Sequence, residues 1–202
     1  MNRKRLKRRL KKIFDPKLLM VYFVVILMVG SGFGFVMNYN TGGGVEYFNE
    51  YRFRQTEQGF ILLYEGEQLE FLNHPQQVMN FDIPDEAISA LEATGYFTLS
   101  FEPAIGEIGE TQYAMSVIFQ HLYTTMDKMV GIGVTEEDML HDLNVVNCSD
   151  STIMSPVVVF KEGNESTIKF DGDSGCIEVV SGTPWHRVQF ADHLVYRMLE
   201  VI

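Results

Sequence analysis

The chain has 202 residues, of which 46% are hydrophobic, and a formal net charge of −11. The acidic balance argues against a nucleic-acid partner, because an acidic surface repels a phosphate backbone. The charge is uneven, since residues 1–17 carry a net charge of +8 and residues 18–202 carry −19. These two parts therefore have opposite electrostatic character.

Residues 1–14 have apolar side chains at the spacing of a basic amphipathic helix. We expect this head to contact anionic lipid headgroups, each basic side chain contributing about 1 kcal/mol. The same composition could bind ribosomal RNA, but base-reading aromatic residues are absent, since Phe14 belongs to the apolar face of the helix. The headgroup contacts are assigned to Arg3, Lys4, Arg5, Lys7, Arg8, Arg9, Lys11 and Lys12.

Residues 18–37, LLMVYFVVILMVGSGFGFVM, form a run of twenty residues without a charge. A helix of this length covers about 30 Å, the thickness of the hydrocarbon core of a bilayer. We therefore predict a transmembrane helix, with the basic head in the cytoplasm and the C-terminal domain outside the cell membrane. Gly30 and Gly34 have the Gly-x-x-x-Gly spacing that allows close helix packing.

A cleaved signal peptide is the alternative interpretation of this basic and apolar N-terminus. Two features favour the uncleaved anchor. The apolar run is longer than the roughly 7–15 residues of a signal-peptide core, and no small-x-small cleavage site follows it.

The polar, glycine-rich residues 38–44 indicate a linker, after which residues 45–202 form one extracytoplasmic domain. Its first part, residues 45–95, is predicted to contain a three-stranded meander, a helical turn and a short helix. The strands are expected at 45–56, 60–64 and 68–73, the turn at 75–80 and the helix at 84–94.

The second part, residues 96–202, begins with a β-α-β pattern and ends with a helix that starts near Pro184. We expect strands at 96–101 and 143–148, the latter buried, and helices at 111–126 and 135–142. Three antiparallel strands are predicted at 156–161, 166–170 and 176–180. The predicted class is α+β, a transmembrane helix followed by a mixed antiparallel sheet with packed helices.

Cys148 and Cys176 both fall on the predicted outer side of the membrane, where thiols are normally oxidised. We expect them to form a disulfide, the alternative being two unrelated buried thiols. Asn164 and Asn147 begin Asn-x-Ser patterns on the side where glycosylation occurs. Asn164 is the better candidate because it lies in a predicted hairpin turn.

The motifs of known chemistries are not found in this sequence. Asp171, Asp173 and Gly175 begin like a calcium loop but lack its later ligands, so we interpret them as a hairpin turn. The five histidines have no metal-ligand spacing, and no Gly-x-Ser-x-Gly or phosphate-binding motif occurs. We therefore assign no catalytic, cofactor-binding or metal-binding residue.

Two resemblances arise from the pattern of the chain. The basic head, single span, linker, the run PVVVFKEGNESTI and the terminal YRMLEVI resemble uncharacterised single-pass membrane proteins of archaea, which implies a topology and no function. Residues 155–163 resemble the segment of the thioredoxin fold where a cis proline opens the third strand. The Cys-x-x-Cys of that fold is missing, so this resemblance implies a redox-inactive binding module.

The expected function is a protein-interaction or accessory role at the outer face of the cell membrane. An extracytoplasmic enzyme with an unrecognised site, or a redox-inactive thioredoxin-like binding module, is the alternative. A sensor that signals through the span is disfavoured by the 17-residue head.

Overall fold

An antiparallel meander of four strands begins the part of the chain that the computed structural model describes, residues 44–137 and 142–202. The basic head, the apolar run with Gly30 and Gly34, and most of the linker lie outside these residues. Among the helices that are described, none has the length and apolarity to span a membrane. The α+β class of the domain is confirmed, with two sheets and four helices.

The meander has one strand more than the sequence predicted. Residues 45–56 form two strands rather than one, because the chain turns at Asn49, whose φ of 51° lies in the left-handed region. A second tight turn uses Glu65 and Gly66, both at positive φ, as a two-residue hairpin requires. The strands are β1 (Val45–Phe48), β2 (Tyr51–Gln55), β3 (Phe60–Tyr64) and β4 (Glu67–Phe71).

Two short helices connect the meander to the second sheet. Helix α1 (Pro75–Val78) begins at His74, which caps it, and α2 (Asp85–Ala93) has two acids in its first turn. Both match the expected turn and helix, because proline and acids favour a helix start.

The second sheet has six strands in the order β7-β6-β5-β8-β10-β9, and all of its pairings are parallel except that between β10 and β9. Two long helices, α3 (Ile108–Met126) and α4 (Pro184–Met198), pack against each other. The strands are β5 (Tyr96–Phe101), β6 (Met129–Val134), β7 (Asn144–Val145), β8 (Val157–Glu162), β9 (Thr167–Asp171) and β10 (Cys176–Ser181).

The predicted three-stranded antiparallel unit was wrong in its pairing. Strands β8, β9 and β10 exist, but β10 lies between the other two, parallel to β8 and antiparallel to β9. A tight turn between β8 and β9 suggested a hairpin, whereas the buried valines of β8 require a neighbour on each side. Described peptide bonds are all trans, including the bond before Pro156.

Two further predictions need correction near the opposite edge of the sheet. Strand β6 was not predicted, because its sequence MVGIGV contains two glycines that weaken a strand pattern. The expected buried strand at 143–148 is reduced to β7, and both of its residues are exposed. The expected helix at 135–142 lies partly outside the described residues, and residues 135–137 are not helical.

The main core lies between the meander, the helices and one face of the large sheet. Phe53 and Leu62 contribute from the meander, Leu99 and Phe160 from the large sheet, and Val195 from α4, all fully buried. A smaller cluster covers part of the other face of the large sheet. The large sheet is thus apolar on both sides at its centre, as expected for parallel strands.

The small cluster contains the Cys148–Cys176 disulfide, so the predicted bond is present in the structure. Cys148 lies in a 3₁₀ turn and Cys176 begins β10, with 5.3 Å between their Cα atoms. The bond fastens the segment before β8 to β10, the strand next to the edge strand β9.

Replacing both cysteines by serine is expected to lower the free energy of unfolding by roughly 3 kcal/mol, because the loop between them spans 28 positions. Urea unfolding of the wild type with and without reductant, beside the double serine variant, measures this. Reductant should destabilise only the wild type. Equal stability of reduced and oxidised wild type would contradict the prediction.

Candidate functional site

Within residues 44–137 and 142–202, the outer side of β6 in the large sheet has no strand partner over most of its length. Strand β7 pairs with β6 only at Gly133 and Val134. The amides of Met129 and Thr135 bond to the β5 side, at 2.9 and 3.0 Å from their acceptors. Because neighbouring residues point their backbone groups to opposite sides, Val130 and Ile132 point theirs toward the open side. We call the stretch Met129–Ile132, together with Tyr96, the β6 edge.

Apolar side chains are exposed on both faces of the β6 edge. Met129 is 64% exposed and Ile132 is 43% exposed, although they point to opposite faces. Tyr96 is 43% exposed and lies across Gly131, where an added Cβ would approach the tyrosine hydroxyl oxygen to 2.5 Å. Its hydroxyl also bonds to Thr98 Oγ1 at 3.0 Å. The tyrosine ring therefore has a fixed position beside the open strand.

Aromatic residues are also exposed on α3, the helix that contacts β6. Phe119 and Tyr123 are 40% and 57% exposed, and their rings stack in parallel with centroids 5.9 Å apart. They lie one helical turn apart on a face that no described element covers. Val145 of β7, 43% exposed, adds a further apolar side chain at this side of the sheet.

Acidic residues stand at both ends of β6. Asp127 precedes the strand, Glu136 and Glu137 follow it, and all three are exposed. Lys128 does not balance them, because its ammonium group is buried and donates to the carbonyl oxygens of Leu91, Glu92 and Thr94 at 2.6–2.9 Å. Burial lowers the pKa of Lys128. The surroundings of the edge are therefore acidic, while the strand itself is uncharged.

A second group of polar residues lies where β5 and β8 end. The Glu162 carboxylate accepts from the amide of Gly106 at 2.8 Å, in the loop before α3. Arg187, only 1% exposed, donates to Ser181 Oγ, the Gly106 carbonyl oxygen and Thr111 Oγ1 at 2.8–2.9 Å. Burial lowers the pKa of Arg187. These contacts fasten α3 and α4 to the ends of the strands.

The four described histidines are dispersed through the domain, and His141 lies outside the described residues. His74 caps α1, His121 contacts the Glu70 carbonyl oxygen through Nε2 at 2.8 Å, and His193 is buried in α4. Burial lowers the pKa of all three, that of His193 to about 4. Within residues 44–137 and 142–202, no group of His, Cys, Asp or Glu could hold a metal ion.

His186 contacts the Ser166 hydroxyl in an open cleft of about 420 Å³. No sequence motif indicates this pair, because the two residues lie 20 positions apart. The Ser166 Oγ also accepts from the amide of Gly182 at 3.1 Å. The hydroxyl thus joins β9 to the turn before α4, which gives the pair a structural role.

Asp192 of α4 is fully buried against the end of the meander. Its Oδ2 accepts from the backbone amide and side-chain amide of Asn73, at 2.9 and 2.7 Å, while its Oδ1 has no protein partner. The Tyr196 hydroxyl donates to the Asn73 carbonyl oxygen at 2.8 Å. Burial raises the pKa of Asp192 to about 7. This network joins the meander to α4.

The candidate glycosylation residues occupy different environments. Asn164 is exposed in the turn between β8 and β9, as expected. Asn147 caps the 3₁₀ turn and is partly buried, and its Oδ1 accepts from the amide and hydroxyl of Ser149 at 2.9 and 2.6 Å. Asp171 accepts from the Ser174 hydroxyl at 2.7 Å within the turn between β9 and β10.

Comparison with models of protein families, with curated proteins and with solved structures finds no match to this chain.

Proposed function

We propose that this chain is a single-pass protein of the cell membrane whose extracytoplasmic domain binds another protein at the β6 edge. The anchor is proposed from the uncharged run at 18–37 and the basic head before it. The binding role is supported by one observation, the concentration of exposed apolar side chains along a strand whose outer side is paired, among the described residues, only at Gly133 and Val134.

Exposing apolar side chains to water is unfavourable in free energy, and the exposed side chains of the β6 edge are not required for the fold of the domain. Met129, Ile132 and Tyr96 contribute little to the core, and apolar patches of this kind mark interaction sites on soluble surfaces. Interfaces are rich in tyrosine, phenylalanine and methionine, which are the residue types present here. The negative charge elsewhere limits nonspecific association and leaves this edge as the favoured contact.

Site-specific photocrosslinking in intact membranes tests the proposal. The full chain carries a photoreactive residue at Met129 or, as a control of similar exposure on the opposite edge of the sheet, at Lys169 of β9. We expect a discrete protein adduct from position 129 and none from position 169. The adduct should remain with the membrane after a high-salt wash, since the chain is anchored.

The substitution Ile132→Glu should reduce the yield of the adduct at position 129 by at least about tenfold, because it places a charge in an apolar contact. Adducts of equal yield at 129 and 169, or a yield unaffected by Ile132→Glu, would contradict the proposed interaction site. Release of the chain by the wash would contradict the anchor.

A further inference from the structure

We propose that the partner docks on β6 as an added β-strand, an extended segment of alternating apolar residues with basic residues at its ends. This inference rests on the proposed function and specifies the chemistry of the partner. It follows from the backbone of β6, from the side chains beside it and from the charges at its two ends.

Part of the outer side of β6 has backbone groups without a partner among the described residues. The Val146 amide bonds to the Val134 carbonyl oxygen at 2.7 Å, which shows that even-numbered residues of β6 point toward β7. Ladder pairing with β7 starts at Gly133. The amide and carbonyl of Val130 and the amide of Ile132 therefore face the open side. Unpaired edge groups of this kind are a template for another strand.

The length of the gap sets the size of the incoming segment. The four residues Met129–Ile132 span roughly 13 Å at about 3.3 Å per residue. A strand of four or five residues fills this gap and would continue the line of β7. The segment would lie beside Tyr96 and Met129 on one face and beside Ile132 alone on the other, so an alternating segment would place its apolar side chains on the first face.

The charges indicate basic flanks on the incoming segment. Asp127 stands before β6, and Glu136 and Glu137 stand at its other end, all exposed and without an ion-pair partner among residues 44–137 and 142–202. A strand with Lys or Arg at both ends would pair with these acids. A second copy of this acidic domain would instead repel the first.

The other sheet edges carry the protection that β6 lacks. Strand β9 contains Lys169 and Asp171, β4 contains Glu67 and Glu70, and β1 contains Glu46. Charged residues within an edge strand oppose pairing with another chain. Strand β6, with the sequence MVGIGV, has no charged residue. This contrast singles out β6 as the edge that accepts a strand.

The test uses the full chain in detergent micelles and a fluorescent peptide, Lys-Lys-Val-Thr-Val-Thr-Val-Lys-Lys. Its matched control has the same sequence with N-methyl groups on both strand edges, which prevents backbone pairing. We expect the unmodified peptide to bind at least about tenfold more tightly and to slow amide exchange at Val130 and Ile132. Replacing the terminal lysines of the peptide by glutamates should abolish binding, because the acids at the two ends of β6 would then repel it.

Ile132→Pro removes the outward amide and should weaken binding about tenfold, whereas Lys169→Ala on β9 should not. Equal binding of the N-methylated peptide, or no protection of Val130 and Ile132, would overturn strand addition. That result leaves the proposed function intact if the adduct at Met129 persists. Loss of both the adduct and the protection would overturn both.

Discussion

Arg187→Ala lowers the free energy of unfolding by about 3 kcal/mol, the largest effect expected of a single substitution outside the apolar core. The guanidinium is buried and donates to three acceptors on β10, α3 and the loop before α3. Truncation leaves those oxygens unpaired and opens a cavity. Urea unfolding followed by the fluorescence of Trp185, the one tryptophan of the chain, measures the loss.

Arg187→Met is the matched variant, because methionine fills much of the same volume without the charge. We expect it to lose less than half as much stability as the alanine variant, since burying a guanidinium has its own cost. Equal losses would show that the hydrogen bonds dominate. A loss below about 0.5 kcal/mol in Arg187→Ala would contradict the prediction.

Asp192→Ala should destabilise the domain by roughly 2–3 kcal/mol, because both amides of Asn73 lose their buried acceptor. Asp192→Asn keeps an acceptor oxygen and cannot ionise, so it serves as the control. It should remain within about 1 kcal/mol of the wild type near pH 4, where the Asp192 carboxyl of the folded chain is neutral. Comparable losses in the two variants would exclude the acceptor role.

The contribution of Asp192 to the free energy of unfolding changes with pH in a definite direction. The pKa of Asp192 is raised in the folded state to about 7 from an ordinary value of 3.8, so between these values the folded chain holds a proton that the unfolded chain has lost. The contribution of Asp192 to stability is therefore full below pH 3.8 and is lost as the pH rises toward 7. The stability difference between wild type and Asp192→Asn should move in favour of the variant over this range.

The buried histidines change the pH dependence of the unfolding free energy in the opposite direction. Their contribution is removed by taking the difference between the wild type and Asp192→Asn. Burial lowers the pKa of His193 from 6.5 to about 4, so its contribution is present above pH 6.5 and is lost as the pH falls toward 4. His74 and His121 share this direction. The variant keeps all three, so the difference curve isolates Asp192. A difference independent of pH from 4 to 8 would contradict the raised pKa.

Local patterns were sufficient to predict most of the elements. The alternating YFTLSF predicted β5, and the apolar face of residues 188–199 predicted the buried side of α4. The disulfide followed from the predicted compartment of Cys148 and Cys176. In each case the determining signal lies within the segment itself or in a property of the whole chain.

Strand order and the candidate site could not be predicted in this way. The valines of β8 are compatible with a hairpin to β9 and with a parallel neighbour, and only the complete sheet decides between them. The glycines of β6 concealed the strand, yet Gly131 provides the space that Tyr96 occupies. Exposure of Met129 and Ile132 depends on how short β7 is, which no local pattern encodes.

The position of β10 has a consequence for synthesis of the chain. Because β10 lies between β8 and β9, these two strands do not pair with each other. They cannot form this part of the sheet while the ribosome is still synthesising β10. Strand β9 gains its full ladder only when residues up to Val180 are available. The order of emergence therefore differs from the order of assembly, and a chain halted before Cys176 would lack the centre of this half of the sheet rather than its margin.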